Sequence, residues 1–265
     1  MKKARVFVYF LWMFYPFLIT QAGDKTKNLK LGVEFGTGIY FGDLIMPERV
    51  RENKSTYPYS YMDDYGVIDG DELIVGPYVG VKSEYFLLRN RLGITAGLRL
   101  SSFSTSLHSD GDYFLWLLKQ EHVYTDYVKI REIKQNSFYI GIPLEVRFFP
   151  NKRELPFQHY FKFGASFNYR IQTNNNILFM REEMSRYAGE IEAEIDNPND
   201  FIINLYPAIG FKIGRQKATW FNVEFQLPGA IVSRNAFPLI KTNAGLGFQL
   251  SVQIPLGKTV PIGSE

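Results

Sequence analysis

The stretch Arg91–Ser101 reads R-L-G-I-T-A-G-L-R-L-S and carries the pattern from which the fold prediction starts. Every second residue from Leu92 to Leu100 is apolar, and the residues between them are small, polar or charged, including Arg99. Successive side chains of a β-strand point to opposite faces, so this segment predicts a strand with one apolar and one polar face. A soluble sheet buries the apolar face, whereas a transmembrane barrel turns it toward lipid and encloses the polar face.

The same alternation recurs in seven further segments of the chain. They lie near 29–41, 73–85, 137–148, 161–171, 201–213, 220–227 and 245–256. The segments are roughly 9–13 residues long, which suits a tilted strand that crosses a bilayer, whereas strands of soluble proteins average about 5–6 residues. One alternating segment is weak evidence, but eight in succession predict an antiparallel all-β protein.

The connections between these segments alternate strictly between long and short. Long stretches follow the first, third, fifth and seventh segments, and tight turns at 86–90, 150–156 and 214–217 follow the second, fourth and sixth. Bacterial outer-membrane barrels alternate extracellular loops and periplasmic turns in this way. We therefore predict an all-β, eight-stranded antiparallel up-and-down transmembrane β-barrel with long extracellular loops and with both termini in the periplasm.

The N-terminal segment 1–22 has the anatomy of a secretory signal peptide. Basic residues near its start precede an apolar run over 6–19, and small residues follow that run. The run is short for a spanning helix, which needs about 20 residues. We expect a signal peptide over 1–22 and the barrel over 23–265, with an uncleaved membrane anchor as the alternative.

Charge and cysteine content exclude several classes of function. The formal net charge of +3 equals the charge of Lys2, Lys3 and Arg5, so the remainder of the chain sums to zero (3 − 3). There is consequently no basic excess for binding nucleic acid. The chain has no cysteine, which excludes disulfides, thiolate catalysis, an acylated lipoprotein anchor and cysteine-ligated metals. We predict no cofactor and no metal.

The two faces of the predicted strands differ in charge throughout. An apolar belt over eight strands exceeds what a soluble monomer exposes, which excludes a lipocalin-like barrel. An eight-stranded barrel is only wide enough to be filled by its own side chains, so we expect the enclosed charges to pair into a plug; an ion or proton pathway is the alternative. The predicted lumen charge network is Glu34, Lys82, Glu84, Arg91, Arg99, Glu145, Arg147, Lys162, Arg170, Lys212 and Glu224.

The second long loop contains an aromatic and apolar stretch. Residues 127–134 continue the alternation of the following strand, which predicts a hairpin that extends beyond the membrane. The apolar stretch at its tip is a candidate surface for a protein partner and comprises Tyr113, Phe114, Leu115, Trp116 and Leu117. In the third long loop, the acidic stretch 180–195 predicts a short helix.

An enzymatic barrel is the alternative function. Outer-membrane enzymes that acylate or deacylate lipid A use eight-stranded barrels, and a deacylase needs a histidine, a serine and a carboxylate at one rim. His108 and His122 fall in the second loop, His159 falls at the turn end of the fifth segment, and no motif supplies a third group. The residues therefore predict a non-enzymatic protein.

Three stretches resemble small outer-membrane barrels of Bacteroidetes. They are Gly32–Leu44, with its Y-F-G-D-L ending, Y-I-G-I-P-L-E-V-R-F-F at Tyr139–Phe149 and F-K-F-G-A-S-F-N-Y-R-I at Phe161–Ile171. These stretches are similar to the PorT-like group and to the PorG-type barrels linked to type IX secretion and gliding. The resemblance implies an integral component of a Gram-negative outer membrane that contacts lipid and a protein partner in the outer membrane or periplasm.

Overall fold

Strands make up most of the part of the chain that the structure describes. The computed structural model describes residues 29–51, 68–70, 73–88, 91–109, 113–118, 127–151, 155–215, 218–233 and 236–256. The predicted signal peptide over 1–22 lies outside these ranges. The elements are β1 (Leu29–Leu44), β2 (Val50–Arg51), β3 (Ile68–Gly70), β4 (Leu73–Leu87), β5 (Leu92–Ser109), β6 (Phe114–Leu117), β7 (Tyr127–Phe148), β8 (Phe157–Phe179), a 3-10 turn (Glu182–Tyr187), α1 (Ala188–Glu194), β9 (Phe201–Ile213), β10 (Trp220–Ile231) and β11 (Ile240–Pro255).

Eight long strands close into an antiparallel barrel. Their order around the ring is β1-β4-β5-β7-β8-β9-β10-β11, and β11 pairs back with β1 from Lys30–Pro255 to Leu44–Ile240. Closure gives each ring strand a hydrogen-bonding neighbour on both sides, which removes the free edges that an open sheet would expose. The predicted eight-stranded up-and-down barrel is confirmed.

Three strands continue well past the rest of the ring on the side of the long loops. β5 reaches Ser109, β7 begins at Tyr127 and β8 reaches Phe179. The predicted extension over 127–134 is confirmed, whereas the length of β8 past Ile171 and the short strands β2, β3 and β6 were not predicted. The side of the short turns has no such extension, so the barrel wall is much taller on one side of its mouth.

A cap of packed loops fills the extension. β6 pairs with β7, β2 pairs with β6, and α1 lies against them through Ile191. The fully buried residues of this cap are Val50, Leu107, Phe114, Trp116, Val128, Ile130, Ile133, Ile191 and Ile195. Arg49 ties α1 to this core, with Nε 2.8 Å from a carboxylate oxygen of Glu194. The predicted short acidic helix in the third loop is confirmed.

The long loop between β10 and β11 folds inward over the barrel mouth. Phe237 is 2% exposed and packs with a tilted ring against Phe103, whose ring also packs edge-on against Tyr139 at 5.4 Å between centroids. Ala236 and Leu239 are buried in the same cluster. The barrel is therefore closed by side chains of its own loop on this side.

An aromatic cluster closes the opposite end of the barrel. Trp220 is 1% exposed and packs edge-on against Phe86, with 5.6 Å between ring centroids. Phe149 and Tyr160 complete the cluster. Burying four large aromatic side chains here excludes water from the end of the lumen.

Among the described residues, no helix has the length and apolar character needed to span a membrane.

Candidate functional site

The outer face of the barrel is an apolar belt. The pattern of each ring strand alternates, so that side chains such as Phe35, 62% exposed, stand outward between buried neighbours. Exposed apolar residues occur on all eight ring strands, among them Leu31, Val33, Val79, Val81, Ile94, Leu98, Leu100, Leu144, Val146, Phe161, Phe163, Phe201, Ile213, Phe221, Phe225, Leu246, Leu250 and Ile254. A continuous belt of this kind is far larger than the apolar patches of soluble monomers.

The inner face of the barrel is charged and buried. The structure places nine of the eleven predicted network residues inside the lumen with at most 4% exposure, namely Glu34, Lys82, Glu84, Arg99, Glu145, Arg147, Lys162, Lys212 and Glu224. Strand alternation puts them there, because each lies one residue away from belt residues on the opposite face. Charges at this depth are tolerated only when they are paired.

One half of the network is centred on Arg99. Its guanidinium lies 2.8 Å from Glu34 and 3.5 Å from Glu145, and it stacks 4.0 Å from the ring centroid of Tyr78. Glu34 also lies 3.2 Å from the ammonium group of Lys82. β1, β4, β5 and β7 are thus connected across the lumen by side chains as well as by the backbone ladder.

The other half of the network is centred on Glu224 of β10. Arg147 bridges two carboxylates, with one guanidinium nitrogen 2.5 Å from Glu224 and another 3.0 Å from Glu84. Lys162 contacts Glu224 and lies 3.0 Å from Glu145, which joins this half to the Arg99 half. Four carboxylates and four cations, Lys82, Arg99, Arg147 and Lys162, therefore form one continuous and electrically balanced network.

Tyrosines and a glutamine complete the polar contacts. Tyr160 donates a hydrogen bond of 2.7 Å to Glu224, and Tyr206 donates one of 2.9 Å to Glu145. Gln249 of β11 accepts a 2.9 Å hydrogen bond from the hydroxyl of Tyr78. With these contacts every ring strand contributes to the interior. A Cβ on Gly210 would overlap the ring of Tyr160, so this close approach requires glycine.

Two predicted members of the network lie outside it. Arg91 precedes β5 at the turn end, where it is half-buried with its guanidinium 5.4 Å from the outward-facing ring of Phe148. Arg170 lies where β8 leaves β9, and it pairs at 2.5 Å with Asp200, whose side chain is 53% exposed. Both predictions are corrected. Arg91 precedes its strand, and Arg170 lies past the end of the β8–β9 ladder, beside the irregularity that separates it from Gln172 in the pairing with β7.

Sequence reasoning omitted one buried cation. Lys30 is 2% exposed, and its ammonium group lies 4.8 Å from the ring centroid of Trp220, on which Lys212 also stacks at 4.9 Å. The same alternation places Lys30 on the polar face, two residues from Gly32 and four from Glu34. The sequence pattern alone therefore indicates that Lys30 faces the lumen. Cation–π contacts of this kind stabilise a buried ammonium beside an aromatic ring.

The packed interior leaves very little free space. A cavity of about 10 Å³, lined by residues including Tyr78, Arg99, Asn204 and Tyr206, lies near the loop end of the lumen. A space of about 10–15 Å³ holds one water molecule. The described interior therefore has the properties of a plug and offers room for a single water there.

The candidate partner surface in the second loop divides into two faces. Phe114 and Trp116 are 0% and 1% exposed in the cap core, so the structure corrects the prediction for these two residues. Tyr113, Leu115 and Leu117 are half-buried, and β6 points the last two away from the core. The alternation of a four-residue strand explains this division, since β6 has one face on the core.

The two histidines that the structure describes lie far apart. His108 lies near the loop end of β5, opposite Glu132 of β7, whereas His159 is exposed near the turn end of β8 and packs against Phe161. His122 lies outside the described residues. Among the described residues, no group of three or more His, Cys, Asp or Glu side chains is placed to hold a metal ion.

Comparison with solved structures finds similar chains, among them an outer-membrane protein. The chain is similar to the outer membrane protein OprG from Pseudomonas aeruginosa, with 12% sequence identity and a TM-score of 0.38 over 86% of this chain and 97% of that chain. No family model and no curated protein matches the chain.

The balance of the lumen network predicts a specific loss of stability. In Glu224→Ala, Arg147 and Lys162 each lose a carboxylate partner in a buried site, so we expect the free energy of unfolding to fall by about 3–5 kcal/mol. Urea unfolding of the detergent-refolded protein, read out by the mobility of unboiled samples on a gel, measures this. Glu192→Ala, at an exposed position of α1, is the matched control and should change stability by less than about 0.5 kcal/mol. Equal effects of the two substitutions would contradict the assignment.

Proposed function

We propose that this chain is an integral β-barrel protein of a Gram-negative outer membrane and that it has a non-enzymatic, structural or partner-docking role. The observation that supports insertion is the continuous apolar belt on all eight strands of a closed barrel. A closed barrel satisfies every backbone hydrogen bond of its strands internally, as the hydrocarbon core of a membrane requires. Lipid is then the first partner of the chain.

The filled lumen supports a role other than transport through the barrel. Side chains close the turn end at Trp220 and the loop end at Phe237, and a balanced ion-pair network fills the space between them. A conducting pore needs a continuous path for water or ions, and the cavity beside Tyr78 and Arg99 has room for about one water molecule. The surfaces that remain for function are the belt, the short turns and the loop cap.

The finer form of this proposal is a component of a type IX secretion or gliding system, with both termini in the periplasm. It is supported by the resemblance of Tyr139–Phe149 and Phe161–Ile171 to PorT-like and PorG-type barrels. The loop cap adds support for docking, because Arg49, Glu190 and Glu194 hold α1 as a pre-formed surface above the barrel. A pre-formed surface binds a partner without the entropic cost of ordering it.

The alternative of a lipid A-modifying enzyme has weaker support. Such an enzyme needs its histidine, serine and carboxylate within hydrogen-bonding reach at one rim. His108 and His159 lie at opposite ends of the barrel wall, on β5 and β8. Among the described residues, no hydrogen bond joins either histidine to a serine or to a carboxylate.

Membrane insertion predicts that a charge introduced into the belt lowers the stability of the barrel in lipid. Phe35→Arg places a charge on the outward face of β1 near the middle of the belt, and we expect it to lower stability in lipid vesicles by about 2–4 kcal/mol. Urea unfolding in vesicles measures the effect. Glu192→Arg, on the exposed face of α1, is the control and should be close to neutral. A soluble barrel would give a neutral Phe35→Arg instead, because water already contacts that side chain.

Partner docking predicts discrete adducts from loop positions in native membranes. A photo-reactive amino acid at Leu115 or Leu117 should crosslink to one defined protein, because these residues face away from the cap core. The same probe at Phe163 in the belt is the control and should give no discrete protein adduct, since it faces lipid. Absence of an adduct from every loop and turn position would contradict the docking role.

The non-enzymatic role predicts an unchanged lipid A profile. We expect wild type, a strain lacking the chain and the triple variant His108→Ala, His122→Ala and His159→Ala to share one lipid A mass spectrum. If loss of the chain alters lipid A and the triple variant reproduces that change, the enzymatic alternative is correct.

A further inference from the structure

Among the described residues, no strand lies beside one edge of β8 over its outer part. β8 pairs with β9 only from Phe157 to Tyr169, and the last backbone contact on this side is the 2.8 Å hydrogen bond from Arg170 N–H to the carbonyl of Asp200. On its other side, β8 stays paired with β7 up to Phe179. Within the described part of the chain, Ile171–Phe179 therefore has one paired and one unpaired edge.

The hydrogen-bond pattern shows which residues face the unpaired edge. Met180 N–H donates to the carbonyl of Lys129 on β7 at 3.1 Å, so the backbone groups of Met180 point toward β7. Counting back along the strand, Thr173, Asn175 and Ile177 direct their N–H and C=O groups to the opposite side. Nine residues at about 3.3 Å each make an edge of about 30 Å, longer than a typical strand of about 5–6 residues.

Apart from the irregularity at Ile171, where Arg170 and Gln172 pair with consecutive residues of β7, the features that usually protect an edge strand are absent from this stretch. Its sequence, I-Q-T-N-N-N-I-L-F, contains no charged residue, no proline and no glycine. Natural proteins protect exposed edges with lysine, proline or bulges, or by keeping the edge strand very short. The short strands β2 and β3, which end the sheet order, have 2 and 3 residues. The edge of β8 is thus long, uncharged and available for backbone pairing.

We propose that Ile171–Phe179 receives an extended, uncharged segment of a partner protein, which adds to β8 as a further β-strand. This inference rests on the proposed docking role and names the class of partner. Backbone hydrogen bonds to Thr173, Asn175 and Ile177 supply the affinity, as in other cases of strand addition. The exposed amides of Gln172, Asn174 and Asn176 favour neutral hydrogen-bonding side chains on the outer face of the added strand, since each amide both donates and accepts.

The inner face of the added strand meets a different surface. Ile177 and Phe179 are half-buried and pack on the cap core. Apolar side chains at alternate positions of the partner segment would continue that packing. The segment that fits is therefore one that alternates between neutral polar and apolar residues, which is also the pattern of a β-strand with one covered face.

The geometry of insertion disfavours a second copy of this chain as the occupant. Two barrels in one membrane share their orientation, and their strands tilt by about 35–45° from the membrane normal. A two-fold axis along that normal would cross the two copies of β8 at roughly twice the tilt, about 70–90°. Strands that cross at such an angle cannot form a ladder, whereas a flexible segment of another protein adapts its direction to β8.

The test uses the full chain in lipid nanodiscs and a fluorescent nonapeptide of alternating threonine and valine as the probe. We expect the peptide to bind wild type and to lose at least tenfold in affinity for Asn175→Pro, which removes an N–H on the unpaired edge without breaking a bond to β7. Asn175→Ala is the matched control, because it loses the same side-chain contact with Gln135 but keeps the N–H. A peptide N-methylated at alternate residues should not bind.

Three results would overturn the proposal: no binding to wild type at millimolar peptide, equal binding to Asn175→Pro, or dimers that form through Ile171–Phe179. The photo-crosslink from Leu115 separates this failure from failure of the docking role. An adduct that persists unchanged in Asn175→Pro contradicts the β8 edge as the docking site and leaves docking intact. An adduct that is lost in Asn175→Pro and kept in Asn175→Ala supports the edge as the docking site.

Discussion

The pairing of charges inside the lumen is the interaction on which the rest of this structure depends. A barrel with an apolar outside must place its polar face inside, and an eight-stranded barrel has no room there for bulk water. The enclosed charges then have only one another as partners. Arg147 between Glu84 and Glu224, and Arg99 between Glu34 and Glu145, meet this requirement without a counter-ion from solvent.

The two closed ends follow from the same constraint. Water entering the lumen would compete with the ion pairs and weaken them, because a charge pair loses most of its attraction in a high-dielectric medium. Trp220 with Phe86 and Phe149 excludes water at the turn end, and Phe237 on Phe103 does so at the loop end. The aromatic clusters and the ion pairs therefore depend on each other.

Local pattern predicted most of the barrel and little of the cap. Alternation is a property of each strand alone, so it assigned Glu145 and Lys162 to the lumen and Phe163 to the belt without any knowledge of neighbours. It failed at Arg91, which precedes β5, and at Arg170, which lies past the end of the β8–β9 ladder. It also missed the length of β8, because asparagine is a poor strand former and 174–176 contains three in a row. The burial of Trp116 and the pairing of Lys162 with Glu224 depend on contacts between distant segments, which no local pattern reports.

The arrangement of the lumen pairs also has a consequence for how the barrel assembles. Glu34 and Arg99 are 65 residues apart in the chain, Arg147 and Glu224 are 77 apart, and Lys162 and Glu224 are 62 apart. Each of these three pairs joins strands that are not neighbours in the ring, so it forms only when the sheet has curled. A sheet that has not curled can pair Glu145 with Lys162 but leaves Glu224 apart from Arg147. The lumen pairs therefore favour the closed ring over partly closed forms.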